Sequence, residues 1–266
     1  MDKRHIRQSF LGNEVGEVTA MAKATIVGLC GGGSHVSQQL AHIGVGHFNL
    51  VDHDRVEDHN GNRMVGLTAE EAERNDLKVD VIARRILAVN PNAVIHRYPT
   101  RWEEVAAELK SSTTIFGCVD SYRVRDELER FARRYLVPYI DVGMDINTTS
   151  LGFSISGQMI LSLPDHPCMR CFGFITEERL TEEARRYGHA GGRPQVVWPN
   201  GMLASTAVGT FMQLILPWSK NLQPPLFLEY DGNRMTVSPS HKVAALSGRC
   251  CPHFSGSNTI GDIDWT

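Results

Sequence analysis

Apolar positions along this chain recur in two periods that alternate. Residues 24–29 (ATIVGL) make a short unbroken apolar run of the kind shown by a strand buried on both faces, and a glycine-rich stretch follows. Val36, Leu40 and Ile43 then return at helical spacing, and residues 47–51 (HFNLV) give a second strand. Strand, turn, helix and strand in that order form a βαβ unit, which makes the two strands parallel. The alternation goes on with a helix on Val79, Ile82, Ile86 and Val89 that stops at Asn90-Pro91, then a strand at 94–98 and a short helix near 102–109. A strand at 113–119, a helix on Val124, Leu128, Phe131 and Tyr135, and a strand at 137–142 complete this part.

From residue 151 the register changes. Residues 151–156 and 158–163 read as an antiparallel pair turning at Ser156-Gly157, and 172–199 read as a long polar loop with one helix where glutamates and arginines crowd positions 176–187. An apolar helix follows Asn200-Gly201 as far as residue 216, and 226–230 with 234–238 make a last hairpin around Gly232-Asn233. The fold class is therefore α/β: a Rossmann-like, mainly parallel sheet flanked by helices, continuing into antiparallel strands. No stretch is rich enough in Gly, Ser or Pro to act as a linker, so residues 1–266 read as a single domain whose two halves are 1–145 and 146–266.

Composition removes several classes of function. With 266 residues and 42% hydrophobic content a full core is available. A formal charge of -3 offers no basic footprint, so nucleic acid is not the expected partner. The start, MDKRHIRQSF, lacks the apolar centre of a signal peptide, and the longest apolar run, 202–218, is interrupted by Ser205, Thr206, Gly209, Thr210, Gln213 and Pro217. No membrane partner and a cytoplasmic location are expected. Four of the six cysteines cluster as CMRC and CCPH, which in a reducing compartment favours a metal over disulfides.

In open parallel sheets ligands bind beyond the carboxyl ends of the strands. That directs attention to residues 28–34, 52–63 and Asp120. The first of these, GLCGGGS, leaves a strand and opens a helix, the setting in which backbone N–H groups hold phosphate. Asp52 follows Gly28 at the interval where such folds place an acid that grips ribose. The spacing is a poor fit to NAD, because Cys30 stands where the second glycine approaches the pyrophosphate and an added glycine appears at Gly31. An EF-hand reading of DHDRVEDHN fails, since Val56 replaces an oxygen ligand. Asn60, Asn62 and Arg63 come next, then Lys78 at the start of a helix. Two cations and the Asp120 carboxylate at one sheet edge suit a triphosphate with its magnesium. Asp54 and Ser121 belong to the same strand-end segments and complete the candidate set. Cys168 and Cys171, with Cys250 and His253 some eighty positions on, repeat one interval and fit a tetrahedral structural zinc, with Cys251 as the alternative to Cys250.

The runs IRQSFLG, ATIVGLCGGGSHVSQQLAHIGVGHFNLVDHDRVEDHNGNR, NDLKVDVIARRILAVNP, CVDS and CMRC together resemble the ThiF/MoeB/HesA family, bacterial relatives of ubiquitin-activating enzymes, over nearly the whole chain. The resemblance implies an ATP site. In it Gly28, Gly31 and Gly33 match the glycine turn, Asp52 the ribose acid, Asn60 and Arg63 the loop that follows, Lys78 the phosphate lysine and Asp120 the magnesium ligand. Arg7 resembles the arginine offered across a homodimer interface into the partner's site. The implied activity is ATP-dependent adenylation of the C-terminal carboxylate of a ubiquitin-like or sulfur-carrier protein ending in Gly-Gly, with Mg²⁺ and Zn²⁺. Residues 146–266 would then bind the carrier and hold the zinc site and a crossover loop. Relatives that activate a peptide, a small molecule or a tRNA-borne carboxylate give the alternative enzyme reading, and a non-catalytic partner-binding module of the same fold gives a third. No cysteine lies between residues 172 and 201, where family members carry a thioester-forming nucleophile, so self-thioester formation is not expected.

Overall fold

The computed structural model describes residues 3–150, 152–185, 194–218, 222–254 and 260–261. A 3-10 segment, Lys3–Leu11, leads into α1 (Val15–Met21), β1 (Lys23–Val27), α2 (Gly31–Ile43) and β2 (His47–Val51). After the polar loop come α3 (Ala69–Glu73), α4 (Lys78–Val89), β3 (Val94–Tyr98), α5 (Ala106–Leu109), β4 (Thr114–Gly117) and α6 (Tyr122–Arg134). The second half holds β5 (Tyr139–Thr149), β6 (Gly152–Ser162), α7 (Glu177–Arg185), α8 (Val197–Ile215), β7 (Phe227–Asp231), β8 (Thr236–Pro239) and α9 (His241–Ala245). All strands join one eight-stranded sheet in the order β3-β2-β1-β4-β5-β6-β7-β8. The pairs from β3 to β5 are parallel and those from β5 to β8 antiparallel, as the change in hydrophobic register requires.

Because successive strand residues face opposite sides, the sheet carries two cores. Ala24, Ile26, Phe48, Leu50, Met159 and Leu161 pack under α2, α4 and α8, while Val27, Val51, Ile115, Tyr139, Ile160 and Phe227 pack on the α6 side. Among the described residues, no helix is long and apolar enough to cross a membrane.

One expected turn is absent. Ser156 and Gly157 do not reverse the chain; they lie inside β6, paired with Asp145 and Met144 of β5. The glycine has another cause: a Cβ on Gly157 would lie 2.5 Å from Leu203 of α8 and 2.8 Å from the Gly143 carbonyl oxygen, so glycine there lets α8 approach the sheet. The reversal instead falls between Thr149 and Gly152. The helix expected at 176–187 is α7, and its last two expected positions lie outside the described residues.

Candidate functional site

The glycine turn is built by close approach. Gly28 has φ +87°, and a Cβ there would stand 2.6 Å from the Cys118 carbonyl oxygen, so β1 and β4 can end side by side only with glycine at this place. At Gly33 a Cβ would come within 1.9 Å of the Gly28 carbonyl oxygen. The chain therefore folds tightly from β1 into α2. Cys30 is the N-cap of α2 and supplies no side-chain cap, which leaves the first turn of a 13-residue helix without a built-in acceptor. Such an end favours an anion.

Cys30 is half-buried. Burial pushes its thiol up, and the charges of Arg63 and Lys78 act in the opposite direction.

Asp52 stands at the end of β2, 8% exposed. Its Oδ2 accepts the Leu29 N–H at 2.8 Å and its Oδ1 the Asp54 N–H at 2.9 Å, so it ties the glycine turn to the polar loop. Lys78, buried at the first position of α4, places Nζ 2.7 Å from Asp54 Oδ2 and 4.0 Å from Asp52 Oδ1. Burial raises the Asp52 carboxyl above its ordinary value, against Lys78 and the two backbone N–H donors. For Asp54 burial also acts upward, but the hydrogen bond and charge of Lys78 outweigh it and hold this carboxyl low. Lys78 itself is pushed down by burial and more than restored by the two aspartates, so it stays a cation.

The polar loop is shaped by its own side chains. Asn60, 3% exposed, accepts the Glu57 N–H at 3.0 Å through Oδ1, and the Glu57 side chain accepts the Asn60 N–H, a reciprocal capping box. Asn62 donates through Nδ2 to the Gln195 carbonyl at 2.9 Å, which pins the approach to α8 onto this loop. Arg63 donates Nη1 to the His59 carbonyl at 2.7 Å and to Asn62 Oδ1 at 3.0 Å. Its Nε is buried and has no hydrogen-bond partner. A buried guanidinium N–H left over beside a glycine turn is an opening for an anionic ligand oxygen.

Asp120 is exposed in the turn after β4. Ser121 caps α6, its Oγ accepting the Val124 N–H at 3.2 Å. The structure thus assembles Gly28, Gly31, Gly33, Asp52, Asp54, Lys78, Arg63 and Asp120 at neighbouring strand ends, with Asn60 and Ser121 as fold-forming members. Arg7 is exposed on the N-terminal 3-10 segment, which packs against α1.

Three contributors escaped the sequence reading. Asn200 of α8, 4% exposed, lies over the glycine turn: a Cβ on Gly31 would meet its Nδ2 at 2.6 Å. Glu183 of α7 accepts the N–H groups of Tyr122 and Arg123 at 2.9 Å each and the Ser121 hydroxyl at 3.2 Å, so its carboxylate plugs the N-terminus of α6 beside Asp120. Arg125 is buried beneath the same turn. Of these only the Asn-Gly pair had a visible signal, and it read as a helix start.

The cysteine cluster comprises Cys168, Cys171, Cys251 and His253, whose ligand atoms lie within 4.8 Å of one another. The expected Cys250 is corrected to Cys251. Neighbours in extended chain point to opposite sides, and here Cys251 is buried in the cluster while Cys250 is exposed. The Sγ atoms of Cys168 and Cys171, and of Cys171 and Cys251, are 3.6 Å apart, and His253 Nδ1 stands 3.3 Å, 3.4 Å and 3.9 Å from the three sulfurs. Four donors around one tetrahedral zinc with ~2.3 Å Zn–S bonds have sulfurs roughly 3.8 Å apart, close to this spacing. Burial, then the nearby Glu129 carboxylate, pushes the Cys168 thiol far above its ordinary value, so a metal would displace protons on entering.

A parallel sheet whose strand ends gather a glycine turn, two aspartates and two cations, joined to an antiparallel half with a cysteine-histidine knuckle, fits a nucleotide-binding α/β enzyme. Residues 3–252 match the ThiF family, and the chain belongs to it. It is thereby an adenylyltransferase of the ubiquitin-activating-enzyme-like superfamily. Similar proteins include the SAMP-activating enzyme E1 of Haloferax volcanii, 28% identical over 98% of this chain and 92% of that protein. The adenylyltransferase and sulfurtransferase UBA4 of Meyerozyma guilliermondii is 30% identical over 99% of this chain, which spans 60% of that protein's length. Among solved structures, E. coli MccB with ATP superposes at a TM-score of 0.70 with 20% identity, covering 90% of this chain and 71% of that one.

Proposed function

We propose that this protein uses ATP to adenylate the C-terminal carboxylate of a ubiquitin-like or sulfur-carrier protein, releasing pyrophosphate. The observation that carries the reading is the strand-end cluster, where an uncapped helix end and the unpaired Arg63 Nε accompany the Asp52–Lys78–Asp54 group. A carboxylate is ionised at neutral pH, so no general base is required. Its oxygen attacks the α-phosphorus and forms an acyl-phosphate bond, while the bond from the α-phosphorus to the bridging oxygen breaks and pyrophosphate departs. The work left for the protein is orientation and stabilisation of charge. Asp52 orients the ribose, the α2 N–H groups and Arg63 take phosphate oxygens, and Lys78 gives up part of its contact with Asp54 to neutralise the leaving end. Asp120, an exposed oxygen donor at the neighbouring strand end, suits Mg²⁺, which would offset charge on the departing pyrophosphate. Zinc at Cys168, Cys171, Cys251 and His253 would be structural. Arg7 would act across a homodimer, reaching the partner's site. The carrier would lie on residues 146–266 and end in Gly-Gly.

The name of the Haloferax volcanii relative, which covers almost the same length, supports a protein substrate. ATP–pyrophosphate exchange measured with candidate carriers tests this. Exchange that depends on a carrier with an intact Gly-Gly end is the expected result. Exchange with a short peptide or small carboxylate alone, or no exchange and no ATP binding, would overturn it.

A further inference from the structure

The buried face of α6 is charged where a helix packed on a sheet would ordinarily be apolar. Arg125 is 6% exposed and Asp141, its partner on β5, is 0% exposed. Arg125 Nη1 donates to Asp141 Oδ2, the Tyr139 hydroxyl donates to Asp141 Oδ1 at 3.1 Å, and Gln158 Nε2 on β6 reaches Asp141 Oδ2 at 3.3 Å. Arg125 Nη2 donates to the Val119 carbonyl.

Two strand glycines exist because of this network. A Cβ on Gly117 of β4 would fall 2.0 Å from the Tyr139 hydroxyl oxygen. A Cβ on Gly143 of β5 would fall 2.3 Å from Arg125 Nη2 and 2.6 Å from Gln158 Nε2. Glycine inside a strand is destabilising by roughly 0.5–1 kcal/mol relative to alanine. A buried ion pair is itself poor evidence of stabilisation, since well-packed apolar residues of like volume often do as well or better. Stability alone does not account for an arrangement that combines both.

Its geometry does. β4 ends at Gly117, and the last ladder bond on that side is the Cys118 N–H to the Val27 carbonyl at 2.8 Å. α6 begins only at Tyr122. The peptide joining Val119 to Asp120 therefore lies past the ladder and ahead of the helix, and its carbonyl is held by a guanidinium from the first turn of α6. We infer that Arg125 is a positioning residue, fixing the Val119–Asp120 peptide and with it the direction in which the Asp120 carboxylate leaves the sheet. Arginine suits the task because one rigid fork can serve Asp141 and the Val119 carbonyl together, which a lysine ammonium on a flexible stem does not reproduce. The neighbouring Gly28, which faces the Cys118 carbonyl, links the position of this turn to the glycine cradle. The inference deepens the adenylation reading and rests on it for its kinetic consequence, though not for its structural one.

The test uses Arg125→Lys, the neutral pair Arg125→Gln with Asp141→Asn, and Gly143→Ala, whose added methyl would push the guanidinium aside. In the full chain without ligands, exchange of the hydrogen-bonded amides that flank this turn, Cys118, Tyr122 and Arg123, should quicken at least tenfold in each folded variant while β1 and β2 stay protected. In ATP–pyrophosphate exchange kcat should fall at least tenfold with KM for ATP within about threefold of the parent. Unchanged protection of the turn and unchanged kcat, with only a lower melting temperature, would overturn the inference, as would loss of folding in all three variants. A parent protein that catalyses no exchange with any carrier would sink the adenylation reading and leave the hydrogen-exchange result to decide the positioning of Asp120.

Discussion

The two halves of the sheet are held together by different means. In the parallel half the site is made by chain segments that meet through backbone: glycines that admit a neighbouring carbonyl, Asp52 accepting two N–H groups, and a loop folded on its own capping box. In the antiparallel half the chain beyond β6 is tied to the far end of the described region by four side chains, Cys168 and Cys171 with Cys251 and His253. The first scheme leaves a donor, Arg63 Nε, available. The second closes a small knuckle and exhausts its donors on one another, so the halves should fail separately when each is attacked at its own weak point.

Lys78→Met should give the largest effect. It removes the ammonium that faces Asp52 and Asp54, so ATP–pyrophosphate exchange should fall about 10²–10³-fold, the range seen when one preorganised charge-stabilising donor is removed. Metal content should stay near that of the parent, while the melting temperature should fall because buried Asp52 loses its counter-charge. Next come Cys251→Ser and Cys250→Ser, compared by metal analysis and thermal unfolding. The first should lose bound zinc and melt about 10 °C lower, equivalent to roughly 3 kcal/mol or more for a chain of this size; the second should change neither. Equal behaviour of the two serines would contradict the register seen here. Gly33→Ala, smaller again, should lower the melting temperature by about 4–8 °C, a destabilisation of roughly 2 kcal/mol, because its methyl would stand 1.9 Å from the Gly28 carbonyl oxygen. Zinc content should not change.

The same contrast explains what the sequence could tell. Gly28, Asp52 and Lys78 follow strands or open helices, and the strand-end rule turns such positions into a site without knowledge of any distant contact. Gly157 defeated the reading because a glycine needed for the approach of Leu203 looks, in one dimension, like a glycine needed for a turn. Cys250 and Cys251 differ only in which side of the chain they face. Arg125, Glu129 and Arg133 repeat at helical spacing, a pattern that ordinarily marks a solvated stripe, yet each is buried because Asp141, Ser162 and Met169 meet them from other elements. Glu183 and Asn200 act on residues more than sixty and more than one hundred and sixty positions away, respectively, and no local period carries that information.

The smallest effect concerns pH and sharpens the separation of the halves. Glu71, in α3 of the parallel half, has a side chain only 5% exposed and accepts the N–H and hydroxyl of Thr68 at 3.0 Å each. Arg84 donates Nη2 to its Oε1 at 2.8 Å, and Arg85 Nη2 reaches Oε2. Burial opposes its ionisation, but the Thr68 backbone, Arg84 and Arg85 together hold the carboxyl below its ordinary value. A carboxyl with a folded value below its unfolded one, near 4.3, lends stability that is fully present above that value and is lost as pH falls through the lower folded value. The melting-temperature gap between the parent and Glu71→Gln should therefore be greatest at neutral pH, about 2–4 °C for ~1 kcal/mol, and should close as pH falls through the lowered folded value of Glu71. Loss of metal from the proposed zinc site in acid would act equally in both variants and cancel in the difference. A gap that stayed constant throughout acid titration of the folded protein would mean that Glu71 acts through packing, and that the loop leading to Lys78 is not held by its charge.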